Sequence, residues 1–130
     1  GILTVSQAVL DSLSALHLPA IPTKVIPNGV DLSAFPSRID PAVVRKQYTI
    51  PEGARVLLAA GRFAPEKGFA LLIQAFRSLI RVVPDACLVL AGSGPEEDAL
   101  RQQAGALPVV FTGFVEDLAP LFSLSEVVVI

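Results

Sequence analysis

The sequence predicts an α/β fold, an open parallel sheet with flanking helices, preceded by a short piece of a second domain. Two observations carry this reading. From residue 55 onward, apolar runs alternate with helical patterns in the order strand, helix, strand, helix, strand, helix, strand. Alternation with short connections favours right-handed βαβ units. The runs "RVLLAA" (55–60), "CLVLA" (87–91), "VVF" (109–111) and "VVVI" (127–130) are also continuous rather than alternating, as expected of strands covered on both faces.

Each element has its own local signal. "ILTV" (2–5) and "KVI" (24–26) read as two earlier strands, and Ser6 is placed to cap a helix over Gln7–Leu16. Asp40 followed by Pro41 supplies a cap and a first-turn proline for a helix to about Tyr48. Leu71, Leu72, Ala75, Phe76, Leu79, Ile80 and Val83 form a wide apolar stripe, which Pro84 stops. Pro95 opens "PEEDALRQQAG", with acids in the first turn where the helix dipole favours them and Gly105 as its exit. A last short helix runs from Asp117 or Leu118 to about Leu124. Turn formers crowd "IPNGVDLSAFPS", so residues 27–40 read as a linker, 1–26 as the tail of a preceding domain and 41–130 as the main domain.

Composition narrows the function. The 130 residues are 52% hydrophobic and 17% charged, enough to bury a large core and too apolar for disorder. A net charge of −2 without a basic block argues against a duplex nucleic acid partner. A single cysteine, Cys87, excludes an internal disulfide framework and fits a reducing, cytoplasmic setting. No apolar run approaches the ~20 residues of a membrane-spanning helix. Gly1 opens inside one apolar run and Ile130 closes another, so the sequence reads as a fragment.

In an open parallel sheet, ligands bind where strand carboxyl ends lead into loops and helices. Three loops qualify. "GRFAPEKG" follows "RVLLAA", with Gly61 and Gly68 bracketing it. Arg62 is a planar permanent cation, and Lys67 sits near a helix N-terminus, where the dipole disfavours positive charge. Two readings follow: exposed charges with a Glu66 ion pair, or a clamp on a bound anion. "AGSGPEE" follows "CLVLA"; Gly92 and Gly94 resemble the start of a dinucleotide fingerprint, but Glu96 and Glu97 stand where its third glycine belongs. A tight turn capped by Ser93 or Gly94 is the favoured reading there. "FTGFVEDL" follows "VVF", where Gly113 permits an unusual backbone angle. Phe114 and Val115 offer a flat apolar slot for a base, and Glu116 or Asp117 a helix cap. His17 lacks a paired ligand, Cys87 reads as a small buried hydrophobe, and no nucleophile elbow, Walker A sequence or metal-ligand spacing occurs.

The ordered series "VSQAV", "VIPNGVD", "GRFAPEKGFALLIQAF", "PDACLVLAGSGPEEDALRQQA" and "VVFTGFVEDLAPLFSLSEVVVI" resembles the GT-B glycosyltransferases of group 1, or family 4. The resemblance covers nearly the whole chain. It implies a retaining, nucleotide-sugar-dependent transferase of two Rossmann-like domains, with this chain centred on the incomplete C-terminal one. By position, Arg62 and Lys67 match the family pair that grips the donor diphosphate, with Gly61 allowing close backbone approach. Gly113, Phe114 and Val115 match the loop that touches the nucleobase, and Gly92 and Gly94 the turn beside it. Asn28 and Gly29 match a segment entering the interdomain linker near the cleft, and Glu66 is expected to orient Lys67.

The two cations would stabilise charge on the departing diphosphate, a duty other enzymes assign to a metal, so no cofactor is expected. The family's pair of glutamates beyond the last strand falls after Ile130, so catalysis by this chain alone is not expected. The resemblance leaves donor sugar, base and acceptor open, and allows peripheral membrane association and self-association through uncovered apolar surface. The alternative is a non-catalytic nucleotide- or phosphate-binding module of the same fold. A phosphorylase or a starch or glycogen synthase of related fold fits less well, because those carry a different lysine loop.

Overall fold

A computed structural model describes residues 1–16, 21–29 and 40–130. The chain divides into two compact units, Gly1–Ala34 and Phe35–Ile130. Most of the expected linker at 27–40, and His17, lie outside the described residues.

In the first unit, β1 (Ile2–Thr4) and β2 (Thr23–Val25) pair in parallel around α1 (Gln7–Ser14). Ser6 Oγ accepts from the Val9 amide at 3.3 Å, so the expected cap forms. The helix closes at Ala15, short of the expected Leu16.

The second unit begins with α2 (Pro41–Tyr48), whose first turn is capped by Asp40 Oδ1 accepting from the Ala42 amide at 2.9 Å. It continues through β3 (Arg55–Ala60), α3 (Phe69–Leu79), β4 (Ala86–Ala91), α4 (Glu97–Ala104), β5 (Val109–Gly113), α5 (Ala119–Leu124) and β6 (Val127–Val129). The strands form one all-parallel sheet in the order β5-β4-β3-β6. The chain therefore moves outward from β3 through β4 to β5, then returns to the far side of β3. That reversal creates a crevice at the carboxyl ends.

Both faces of the central strands β3 and β4 are covered, as their unbroken apolar runs suggest. Ala59, Ala86, Leu88 and Leu90 point to one side, where Phe69, Ile73 and Phe76 of α3 and Leu100 and Ala104 of α4 cover them. Val56, Leu58, Cys87, Val89 and Ala91 point to the other, against Val44 of α2 and Leu121 of α5. Burial raises the Cys87 thiol pKa, as suits a packing residue. β6 pairs only with β3 on its described side, and Val127, Val128 and Val129 are exposed.

Two expectations for α3 need correction. The helix stops at Leu79 rather than running to Pro84. Val83 precedes a proline, which disfavours helical backbone there. The chain tightens into a turn in which Val82 and Val83 both donate to the Leu79 carbonyl, and Val83 still packs on the core. Leu71 and Ala75 are exposed instead of buried; the buried stripe is Phe69, Ile73 and Phe76.

Leu88 is fully buried in the central strand β4. Leu88→Ala is expected to lower stability by about 2–5 kcal/mol in urea unfolding. A loss under ~1 kcal/mol would show that this face is not close-packed.

Candidate functional site

At the carboxyl ends of β3, β4 and β5 lies an open cleft of about 520 Å³. It is lined by Ala60, Gly61 and Arg62 from the end of β3 and its loop, by Ala91, Gly92, Ser93 and Gly94 from β4 and its loop, and by the apolar Phe114, Val115 and Leu118 that follow β5.

The loop after β3 is held by alternation. Phe63 is fully buried and meets Phe69 edge-on at 4.9 Å between ring centroids and Phe111 at 6.0 Å. With its neighbour pinned inward, Arg62 is left facing solvent. Phe63 is an anchor that sequence reasoning missed; a lone aromatic within a polar loop was the available signal. The loop then makes a 3₁₀ turn, Pro65–Lys67, before Gly68 and α3.

The loop after β5 is re-aimed by a bulge. Leu90 pairs with Phe111 but Ala91 with Gly113, so Thr112 is the extra residue. Gly113 has φ of +73°, the unusual angle expected of it, yet it does not line the cleft. Its carbonyl accepts from the Gly92 amide at 2.8 Å, and the chain beyond it presents Phe114 and Val115. Asp117 Oδ1 accepts from the Ala119 amide at 2.9 Å, so the capping role predicted for it holds. On the β4 loop, the expected cap by Ser93 or Gly94 does not form. α4 begins after Glu96, three residues beyond Ser93, without a side-chain cap.

The exposed Glu66 ion pair of the first reading forms, and it forms with Arg62. Glu66 accepts from Arg62 Nη2 at 2.7 Å instead of orienting Lys67. The carboxylate sits four residues after Arg62, on the same side of the tight turn. A bond from its own backbone amide and then the Arg62 guanidinium hold its pKa below the usual carboxylate value. Lys67 acts on Glu66 only through space. Lys67 borders an adjoining recess of about 440 Å³ with Phe69, Leu72 and Val129; the recess shares Ala60 with the cleft. The structure thus gathers Gly61, Arg62, Gly92, Gly94, Phe114 and Val115 into one cleft, with Lys67 next door. Asn28 and Gly29 belong to the first unit and are exposed there.

Residues 54–130 match the family model described as Glycosyl transferases group 1. The chain belongs to the group 1 glycosyltransferases. As a member of that family it is 36% identical over 124 residues to the putative glycosyltransferase YtcC of Bacillus subtilis, covering 82% of this chain and 30% of that protein. It is 39% identical over 101 residues to a GDP-mannose-dependent α-(1-6)-phosphatidylinositol dimannoside mannosyltransferase of Mycobacterium tuberculosis, covering 78% and 26%. Among solved structures, Anabaena HepE in complex with UDP and glucose superposes with a TM-score of 0.79 at 29% identity, over 97% of this chain and 36% of that one. The chain therefore spans about a third of the length of these proteins. The α/β, Rossmann-like architecture agrees with such neighbours, including WaaG, at a TM-score of 0.74 and 18% identity.

Glu66 engages one nitrogen of Arg62 and sets a negative charge beside it, so it would compete with an anion bound there. Glu66→Gln is expected to tighten binding of inorganic pyrophosphate by roughly two- to fivefold in calorimetry, the range of an exposed ion pair. Unchanged or weaker binding would mean the pair does not compete with anions.

Proposed function

We propose that this chain forms the donor-binding part of a glycosyltransferase that moves a sugar from a nucleotide-diphosphate sugar to an acceptor with retention of configuration. The observation that carries the reading is the cleft itself. Glycine-bearing loops, one cation and the apolar Phe114, Val115 and Leu118 line one cleft at the carboxyl ends of a parallel sheet beside its reversal point. HepE, solved with UDP and glucose, has this fold over 97% of the chain, which supports a nucleotide-sugar ligand.

In this reading Arg62 binds the donor diphosphate from the cleft and Lys67 approaches it from the adjoining recess. Their charges offset the negative charge that grows on the leaving nucleoside diphosphate, most strongly in the transition state. Phe114 and Val115 receive the base against an apolar surface. No metal is assigned a role. The acceptor site and the transfer step belong to a whole protein of the relatives' length, so this chain alone binds donor without turning it over. Several relatives have glycolipids in their names, among them the mycobacterial phosphatidylinositol dimannoside mannosyltransferase and an alpha-monoglucosyldiacylglycerol synthase of Streptococcus pneumoniae. That favours a cytoplasmic protein peripherally associated with a membrane. Among the described residues no helix is long and apolar enough to cross one. The exposed valines of β6 favour self-association of the chain by itself.

Thermal shift with UDP, GDP and ADP tests the site. At least one nucleotide is expected to raise the Tm of the wild-type chain, unchanged by EDTA, and Arg62→Ala plus Lys67→Ala is expected to abolish the shift. Equal shifts in both proteins would refute the phosphate assignment, and loss of the shift in EDTA would require a metal.

A further inference from the structure

Glycines in a cleft floor are usually read as room for a ligand. Here the space a side chain would need at Gly92 and Gly94 is filled by the protein's own backbone. A Cβ on Gly92 would lie 1.9 Å from the carbonyl oxygen of Gly61. A Cβ on Gly94 would lie 2.4 Å from the carbonyl oxygen of Phe63 and 2.7 Å from its nitrogen. Real Cβ atoms do not approach backbone this closely, and no rotamer change relieves the contact. Gly92 also has φ of +145°, which side chains rarely adopt.

The atoms they meet belong to the residues immediately before and after Arg62. The same two loops are tied by hydrogen bonds. The Gly61 amide donates to Ala91 O at 2.9 Å, the Phe63 amide to Ser93 O at 2.9 Å, and the Glu96 amide to Phe63 O at 3.1 Å. Arg62 thus sits on a stretch of backbone gripped on both sides by the β4 loop, and Phe63 locks it from beneath.

We propose that Gly92 and Gly94 are positioning residues: they let the β4 loop clasp the backbone flanking Arg62, and so set its grip on the donor diphosphate. This rests on the reading of Arg62 as a donor-binding cation. Gly92 is also bonded to Gly113 on the loop that carries Phe114 and Val115, whereas Gly94 meets the Phe63 backbone, so Gly94 is the position at which the diphosphate responds more than the base.

The test compares UDP with uridine by calorimetry on the 130-residue chain, for wild type, Gly94→Ala, Arg62→Ala and the double variant. Gly94→Ala is expected to weaken UDP at least threefold, to leave uridine within twofold, and to add nothing in the Arg62→Ala background. Val83→Ala, a core truncation away from the cleft, is expected to leave both affinities unchanged despite its lower stability. Parallel loss of UDP and uridine binding in Gly94→Ala, or losses that add to those of Arg62→Ala, would overturn the proposal. If Arg62→Ala itself left UDP binding intact, the functional reading would fall and this inference with it. Should Gly94→Ala not fold, hydrogen exchange of the unaltered chain decides. The Gly61 and Phe63 amides are expected to be protected without ligand, and exchange at unstructured rates would refute the clasp.

Discussion

Backbone pairing that continues past the carboxyl ends of β3 and β4 is the constraint on which the cleft depends. The sheet supplies the direction: β3 and β4 run in register from Arg55 opposite Ala86 to Ala60 opposite Ala91. The loops then keep bonding through Gly61 with Ala91 and Phe63 with Ser93, instead of parting as strand-to-helix connections usually do. The Gly92 amide extends the same ladder to Gly113 on the other side. Three loops become one continuous floor. These hydrogen bonds satisfy backbone groups of all three loops within the protein.

Charge is then placed upon that floor rather than built from helix ends. The first turn of α4 carries Glu97 and Asp98, which answer its dipole and oppose any phosphate there. Glu97 is further engaged by Arg101 at 2.8 Å, and Arg101 lies 4.4 Å over the Phe111 ring. Phe111 in turn meets Phe63. A run of contacts thus joins α4 to the loop that carries Arg62, while α3 and α4 are tied by Arg77 to Gln103 O and Gln103 to Ala70 O. Among the described charged side chains only Arg62 lines the cleft, and its partner Glu66 is exposed.

Much of this was legible in the residues. Continuous apolar runs announced strands buried on two faces, and Ser6, Asp40 and Asp117 announced caps that form. Gly61, Arg62, Gly92, Gly94, Phe114 and Val115 were legible as loop residues at strand ends, whereas Leu118, which also lines the cleft, read only as a helix start. What stayed hidden depends on contacts distant in sequence or on fine geometry. The end of α3 turned on a switch to tighter bonding before Pro84, which periodicity does not register. The partner of Glu66 depended on how a three-residue turn disposes Arg62 and Lys67. The duty of Gly92 and Gly94 required knowing that residues 61 and 63 pass within a side chain's radius of them.

Amide chemical-shift mapping with UDP tests the central claim most directly. The account predicts perturbations concentrated at residues 61–64, 92–94 and 113–118, with the Arg62 side-chain resonances moving alongside them. Shifts confined to the recess beside α2, lined by Asp40, Arg45 and Glu52, or none at the carboxyl ends of β3, β4 and β5, would contradict it.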